Sequence, residues 1–317
     1  MRLNKFDLNN LLCLDALLAE RSITRAADRL FLSRPAMSNA LARLREYFND
    51  ELLIHVGKVM VPTPFALSLQ APVRDLLLRM QAIISASPAA IDLATVKRKI
   101  SVTCSDYVTS LFIPLVLARI YEQAPGIAID IRPFSARFLE EIDSGEVDFL
   151  ITSDKIITDE HPCEPLFKDT FSCVLWAGNP DVGTDLALEQ YLASGHVVAQ
   201  WGVGRVKALD EKFFQDHHLT RRVEVWVSTF TQIPQCIVGT GRIGMLPTRL
   251  ANWAAQHWPL RVFECPVPIP PLVEVMQWHE YQQADPVQSW VRVRIPRHLD
   301  TQPALIWTLV PRALGHL

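Results

Sequence analysis

Between residues 22 and 48 the apolar side chains fall into two short helical stripes with a turn between them, and this pattern constrains the N-terminal fold more than any other feature. Ser22 or Thr24 offers an N-cap to a helix in which Ile23, Ala26, Ala27 and Leu30 follow the i, i+3, i+4, i+7 spacing. The chain turns at Phe31-Leu32. Ser33 then caps a second helix with Pro35 in its first turn, where a missing N–H costs little. Met37, Ala40, Leu41, Leu44 and Phe48 share the apolar face of that helix. Residues 7–20, rich in leucine on one broad face, supply an earlier helix for both to pack on. Two short amphipathic helices joined by a turn make a helix-turn-helix unit.

The second helix must expose a face opposite its core stripe. At about 100° per residue that face carries Pro35, Ser38, Asn39, Ala42 and Arg43, with Arg34 and Arg45 on its flanks. Small residues let a helix sit deep in a DNA major groove. Serine can bond phosphate or a base edge, Asn39 suits adenine, and arginine suits guanine. The plainer alternative is a solvated helix of an ordinary bundle, which favours Glu/Lys pairs at such positions. Residues 51–62 add two β-prone runs around Gly57-Lys58, a hairpin wing whose lysine can meet phosphate in a neighbouring groove. Charge points the same way. The first 87 residues carry 11 Lys+Arg against 8 Asp+Glu, whereas the remainder carries 20 against 26. A positive module on a negative body suits a polyanion partner at the N-terminus only.

A chain of 317 residues suggests two or three domains, and 49% apolar with 21% charged residues is the balance of a soluble globular protein. No apolar run approaches a membrane span, and the N-terminus lacks the apolar core of a signal peptide, so a cytoplasmic location is expected. The six cysteines include no CxxC pair and there is no HExxH. Reduced and mostly buried thiols are therefore expected, with no metal site and no cofactor.

The segments Ser22-Ile-Thr-Arg-Ala-Ala-Asp-Arg-Leu, Leu32-Ser-Arg-Pro-Ala-Met-Ser-Asn-Ala-Leu-Ala-Arg-Leu, Asn49-Asp-Glu-Leu-Leu and Val61-Pro-Thr-Pro together resemble the LysR-type transcriptional regulators. The likeness extends over nearly the whole chain. Its Asn-Asp-Glu-Leu and Pro-Thr-Pro segments look most like the branch of nodulation-gene and naphthalene/salicylate-responsive activators. The resemblance implies an α/β protein with an N-terminal winged helix-turn-helix and a periplasmic-binding-protein-like effector domain of two subdomains. It implies a regulator, not an enzyme. Double-stranded promoter DNA, a small-molecule effector and, for an activator, RNA polymerase are the implied partners of a homodimer or homotetramer. The expected DNA contacts are Ser22, Thr24 and Arg25, then Ser33, Arg34, Pro35, Ser38, Asn39 and Arg43, and Lys58 on the wing. Arg34 departs from the family, which usually has Gln there.

These expectations divide the chain at fixed points: residues 1–62 for DNA binding, 63–90 for a linker helix and hinge, and 91–317 for effector binding. The effector domain divides into subdomain I, 91–166 with 268–317, and subdomain II, 167–267. In the linker, Ala66, Leu69, Val73, Leu76, Met80 and Ile83 recur at alternating steps of three and four. That seam serves either a coiled-coil dimer or packing on a neighbouring domain, and the resemblance favours the dimer. Pro72 lies within it and should bend the helix or cost a backbone hydrogen bond.

From residue 99 strands and helices alternate, which argues for α/β architecture. Expected strands are 100–104, 127–134, 148–152, 171–176, 196–201, 223–228, 243–246, 260–263 and 273–278. Expected helices are 108–123, 137–144, 206–216, 230–238 and 248–257. The best effector candidates lie at the first strand-to-helix turn, where Thr103, Cys104, Ser105 and Asp106 offer hydroxyls and helix-start N–H groups to a carboxylate or phenolate. Asp106 sits awkwardly for an anion and can instead cap or orient the site. Across a presumed cleft, Trp201, Gly202, Arg205, Thr229 and Phe230 follow strands, and the two aromatics can sandwich a planar ring or serve as core.

The runner-up is a small-molecule enzyme or transport-type binding protein carrying an unrelated N-terminal bundle. Gly239-Thr-Gly-Arg-Ile-Gly244 matches the GxGxxG dinucleotide fingerprint, yet it follows a helix and leads into a strand, the reverse of the required order.

Overall fold

In the computed structural model, which describes residues 6–57, 59–85, 92–201, 206–207 and 209–294, both candidate serines cap helices. The N–H of Arg25 donates to Ser22 Oγ at 3.4 Å and opens α2, Ile23–Arg29. The N–H of Ala36 donates to Ser33 Oγ at 3.3 Å and opens α3, Arg34–Phe48, with Pro35 in its first turn. Both helices pack on α1, Asn9–Glu20, through a core that includes Leu14, Leu17, Ala26, Ala27, Met37 and Leu44. Asn49 closes α3 in the left-handed conformation, which asparagine tolerates.

The next residue, Asp50, ties three elements together. Its Oδ1 accepts the N–H of Leu52 and the hydroxyl of Thr63, each at 2.7 Å. Thr63 Oγ1 in turn accepts the N–H of Ala66 at 3.0 Å. One carboxylate thereby joins the end of α3, the antiparallel hairpin of β1 (Leu53–Val56) and β2 (Val59–Pro62), and the start of α4 (Pro64–Ser85). The hairpin closes from Val56 to Val59 through Gly57, whose φ of +64° favours glycine.

Helix α4 runs through Pro72 without interruption. The seam read from its sequence divides in two. Ala66 and Val73 are buried in the core of α1–α3, with Leu69 packed against it, whereas Leu76 is exposed and Ile83 is 76% exposed. The helix is part of the same compact unit, Met1–Pro88.

The second compact unit, Ala89–Leu317, is built on two sheets. The first has the order β4-β3-β5-β13-β6, formed by Ile127–Arg132, Arg98–Thr103, Phe149–Ser153, Leu272–Gln277 and Cys163–Asp169. Strand β3 runs parallel to β4 and β5, and β13 runs antiparallel to β5 and β6. The second sheet has the order β10-β8-β11-β7-β12, formed by Arg222–Val227, Gly195–Trp201, Ile243–Pro247, Phe171–Trp176 and Leu260–Glu264. The chain passes from the first sheet to the second at Thr170 and returns between residues 264 and 272. A shared apolar core includes Tyr107 and Phe167 from the first sheet's side and Val197, Phe230 and Leu250 from the second's.

Several local expectations change. The single helix expected over 108–123 is two, α5 (Asp106–Leu111) and α6 (Ile113–Gln123), with Pro114 in the first turn of the second. Strand β6 was not expected. Residues 206–207 form the short strand β9, and helix α9 starts only at Leu209. The remaining helices are α7 (Phe138–Asp143), α8 (Leu188–Ala193), α10 (Ile233–Ile237), α11 (Thr248–His257) and α12 (Pro286–Arg294); of these, α8 and α12 had no counterpart in the sequence pattern. Gly239, at φ +78°, follows α10, and Gly244 lies inside β11, where a Cβ would collide with Ile233 and Ile237. Gly239 and Gly244 therefore serve a helix end and close helix-to-strand packing.

Candidate DNA-reading face and effector cleft

Helix α3 separates its two faces sharply. Met37, Ala40, Leu41 and Leu44 are buried, while Arg34, Pro35, Ser38, Asn39, Ala42 and Arg43 are exposed. The expected contacts differ in what else they do. The Oγ atoms of Ser22 and Ser33 accept capping N–H groups, which leaves each hydroxyl proton to donate outward. Thr24 is half-buried. Arg25 is held by Glu20, through its carboxylate at 3.3 Å and its backbone carbonyl. Arg43 donates to Asn10 Oδ1 at 3.1 Å. Arg45, placed by sequence on the flank of the reading face, donates to the carbonyls of Glu51 and Leu53 at 2.8 and 2.7 Å and so anchors the wing. Lys58 lies outside the described residues.

In the second unit the first strand-to-helix turn is largely buried. Thr103 is fully buried, and its Oγ1 has no hydrogen-bond partner among the described residues. Cys104 is buried with its Sγ 3.3 Å from Thr109 Oγ1, and burial pushes its thiol up to about 11. The Ser105 hydroxyl accepts the N–H of Val108 at 3.3 Å and caps α5.

Asp106 crosses to the other sheet. Its carboxylate accepts the N–H of Phe230 at 3.1 Å and of Thr231 at 2.8 Å, where a 3-10 turn, Phe230–Gln232, opens after β10. The two N–H groups that open this turn are thus taken by a carboxylate of the protein itself. Thr229 Oγ1 stands 3.3 Å from Thr231 Oγ1. Phe230 is only 8% exposed and belongs to the core. Of the two uses read for this aromatic, core packing is the one its burial matches. Trp201 ends β8, and Gly202 and Arg205 lie outside the described residues.

Residues that sequence reasoning missed complete the arrangement. The Tyr107 hydroxyl donates to Asp169 Oδ2 at 2.5 Å, and burial and the adjacent carboxylate push the phenol far above its usual range. Asp169 also accepts the N–H of Thr170 at 2.8 Å and of Arg249 at 3.2 Å, at the point where the chain changes sheets. Glu274, on β13, is buried, and its Oε2 has no partner among the described residues. Burial first, then Asp169 and Asp154, push its carboxyl up to about 8. The available signal for Glu274 was an acid inside the apolar run Leu272-Val-Glu-Val-Met. Among the described residues no group of three or more His, Cys, Asp and Glu side chains gathers to hold a metal, and no helix is long and apolar enough to cross a membrane.

Comparison with known proteins agrees with this architecture. The family profile "Bacterial regulatory helix-turn-helix protein, lysR family" matches residues 8–67, and "LysR substrate binding domain" matches residues 94–298. The chain is 42% identical to nodulation protein D 2 of Rhizobium tropici over 293 residues, 92% of each chain. It is 40% identical to nodulation protein D 1 of Bradyrhizobium diazoefficiens over 292 residues, 92% of this chain and 93% of that one. Among solved structures, a probable transcriptional regulator of Pseudomonas aeruginosa superposes with TM-score 0.66 at 26% identity, covering 92% of this chain and 97% of that one. A full-length OxyR variant from the same organism gives TM-score 0.73 at 17% identity over 92% and 94% of the two chains, a likeness of fold.

Proposed function

Since the chain belongs to the LysR family of transcriptional regulators, we propose that it reads promoter DNA with α3 and answers to a neutral phenolic effector bound between its two sheets. The observation that carries the DNA assignment is the exposed Arg34, Pro35, Ser38, Asn39 and Arg43 face lying over a fully apolar opposite side. In this reading Ser22, Thr24, Arg25, Ser33 and Lys58 meet phosphate, which positions the helix, and α3 supplies the base contacts. The exposed end of α4, including Leu76 and Ile83, pairs with a second copy and sets two reading helices on a pseudo-palindromic site. Cytoplasmic location, a homotetramer and contact with RNA polymerase at an activated promoter belong to the same proposal.

The phenolic preference rests on Asp106. An acidic effector at this turn meets a fixed carboxylate and finds the Phe230 and Thr231 N–H groups already taken. A neutral hydroxyl can instead donate to that carboxylate. Thr103, Cys104, Ser105, Trp201, Gly202, Arg205 and Thr229 are the residues proposed to surround it. The names of the relatives point to nodulation genes as the regulated set. Footprinting the DNA upstream of the gene for this chain tests the assignment, with salt varied and with neutral polyphenols or hydroxybenzoates added. Protection that weakens steeply with salt is expected, because each neutralised phosphate releases counterions. Protection altered by polyphenols and unaffected by hydroxybenzoates supports the effector class; the reverse overturns it.

A further inference from the structure

Three sulfur-bearing side chains share one face of the second sheet, away from the β3–α5 turn. Cys173 lies near the middle of β7, opposite Met245 of β11 on one side and Phe263 of β12 on the other. Cys265 follows β12 by one residue, and its thiol reaches back so that Sγ lies 3.6 Å from Met245 Sδ. Cys173, the direct cross-strand partner of Met245, lies on the same face of the sheet. The surroundings are apolar, with Phe263, Val267 and Ile269 in the same cluster. Cys173 is fully buried and Cys265 is partly exposed, so the trio has one end open to solvent.

We propose that Cys173, Cys265 and Met245 form a binding site for a cuprous ion. The donor set makes the selection. Thiolate and thioether sulfurs are soft ligands and suit Cu(I), whereas Zn(II) asks for four ligands and rarely takes a thioether. Spacing agrees with a trigonal centre. Three sulfurs bound at about 2.3 Å, the length of a metal–thiolate bond, stand about 4 Å apart, close to the observed 3.6 Å. Only a small outward adjustment of this pair is required. The binding step exchanges two protons for one metal ion: Cu⁺ and two S–H groups give a dithiolate–copper unit of charge −1 and two H⁺. No electron is transferred. Arg221 acts on Cys173 as a nearby positive charge and offsets the negative charge of the filled site.

The test uses the reduced full-length protein under anaerobic conditions, with Cu(I) supplied as its coloured bicinchoninate complex. The wild type should withdraw one equivalent of copper and bleach the complex, and X-ray absorption of the loaded protein should show three sulfur neighbours and no nitrogen. Cys173→Ser with Cys265→Ser should abolish withdrawal. Met245→Leu, close in volume, should leave the fold intact and weaken binding by an order of magnitude. Zn(II) held by a chromophoric chelator should not be taken up. Should the double variant fail to fold, Cys265→Ser alone at the exposed end decides. The proposal is overturned if the wild type leaves the complex coloured. Equal uptake by wild type, Cys265→Ser and Met245→Leu also overturns it, since the copper would then sit on other cysteines.

Discussion

The reading helix and the cleft turn are both short polar segments at a helix start, yet they spend their polar groups in opposite ways. On α3, Ser38, Asn39 and Arg34 face solvent over a buried apolar stripe. At the β3–α5 turn, Thr103 and Ser105 are buried and Asp106 is bonded across to Phe230 and Thr231. In the proposed reading, a partner as large as DNA is met by a surface left open. In the proposed effector site, Ser105 and Asp106 are already bonded within the protein, so a ligand there must exchange bonds with them. Substitutions at Arg34, Ser38 and Asn39 should spare the fold, whereas those at Thr103, Ser105 and Asp106 should touch stability.

The largest effect is expected from removing what α3 leaves exposed. Arg34→Ala with Ser38→Ala should lower affinity for the specific site by roughly 1–3 kcal/mol for each lost base contact, with the melting temperature unchanged. Binding to random DNA should fall much less. Competition gel shifts with both DNAs check this, and equal losses on the two would reduce these residues to phosphate contacts.

Glu274 offers the opposite case, a polar group whose alteration should act on stability alone. Its carboxyl is raised to about 8 in the folded chain from an ordinary value of 4.5. Between those values the unfolded chain has released a proton that the folded chain keeps, so stability falls as pH rises through this window and levels off above it. Glu274→Gln lacks that cost. The variant should melt at nearly the wild-type temperature near the lower bound and progressively higher toward the upper, by a few kcal/mol at most. Melting curves across this pH range with identical profiles for both proteins would show that the group is not held neutral.

How far the sequence disclosed each region depends on the same contrast. Caps, Pro35 and the stripe Met37-Ala40-Leu41-Leu44 are local signals, and α3 is legible residue by residue. The heptad seam is apolar as its spacing says, but its partner is set by tertiary structure: Ala66 and Val73 face their own unit's core, and only the distal positions stay open. Strand β6 escapes notice because Pro165 interrupts the pattern. It is tolerated because β6 is an edge strand and its pairing with β13 shifts register at that place. Asp106 is visibly ill suited to an anion, yet its partners lie more than a hundred residues away. No periodicity or spacing could have supplied them.

A smaller loss is expected at the bond between the two sheets. Asp106→Asn keeps one acceptor oxygen and removes the charge, and a hydrogen bond to a charged group is worth about 1.5–3 kcal/mol. Thermal melting of the full chain should fall by a few degrees. Hydrogen exchange should show the Phe230 and Thr231 amides losing protection while those of β7 keep theirs. Unchanged protection at both amides would mean that the carboxylate does not hold the two sheets together there.

The smallest effect is expected at Ser33, where the two uses of a polar group meet in one residue. Its Oγ accepts the N–H of Ala36, and its hydroxyl proton can donate outward at the end of α3 proposed to face DNA. Ser33→Ala removes both functions and should cost the N-terminal unit about 1 kcal/mol, the ordinary worth of an N-cap. Ser33→Asp separates them. Aspartate caps as well as serine and its charge suits the helix N-terminus, so stability should be kept. The same charge placed against phosphate should repel it, and DNA of every sequence should bind more weakly. Wild-type melting combined with weakened, sequence-independent binding is therefore the expected signature of Ser33→Asp. Wild-type affinity in that variant would confine Ser33 to capping and move the first phosphate contact onto Arg34.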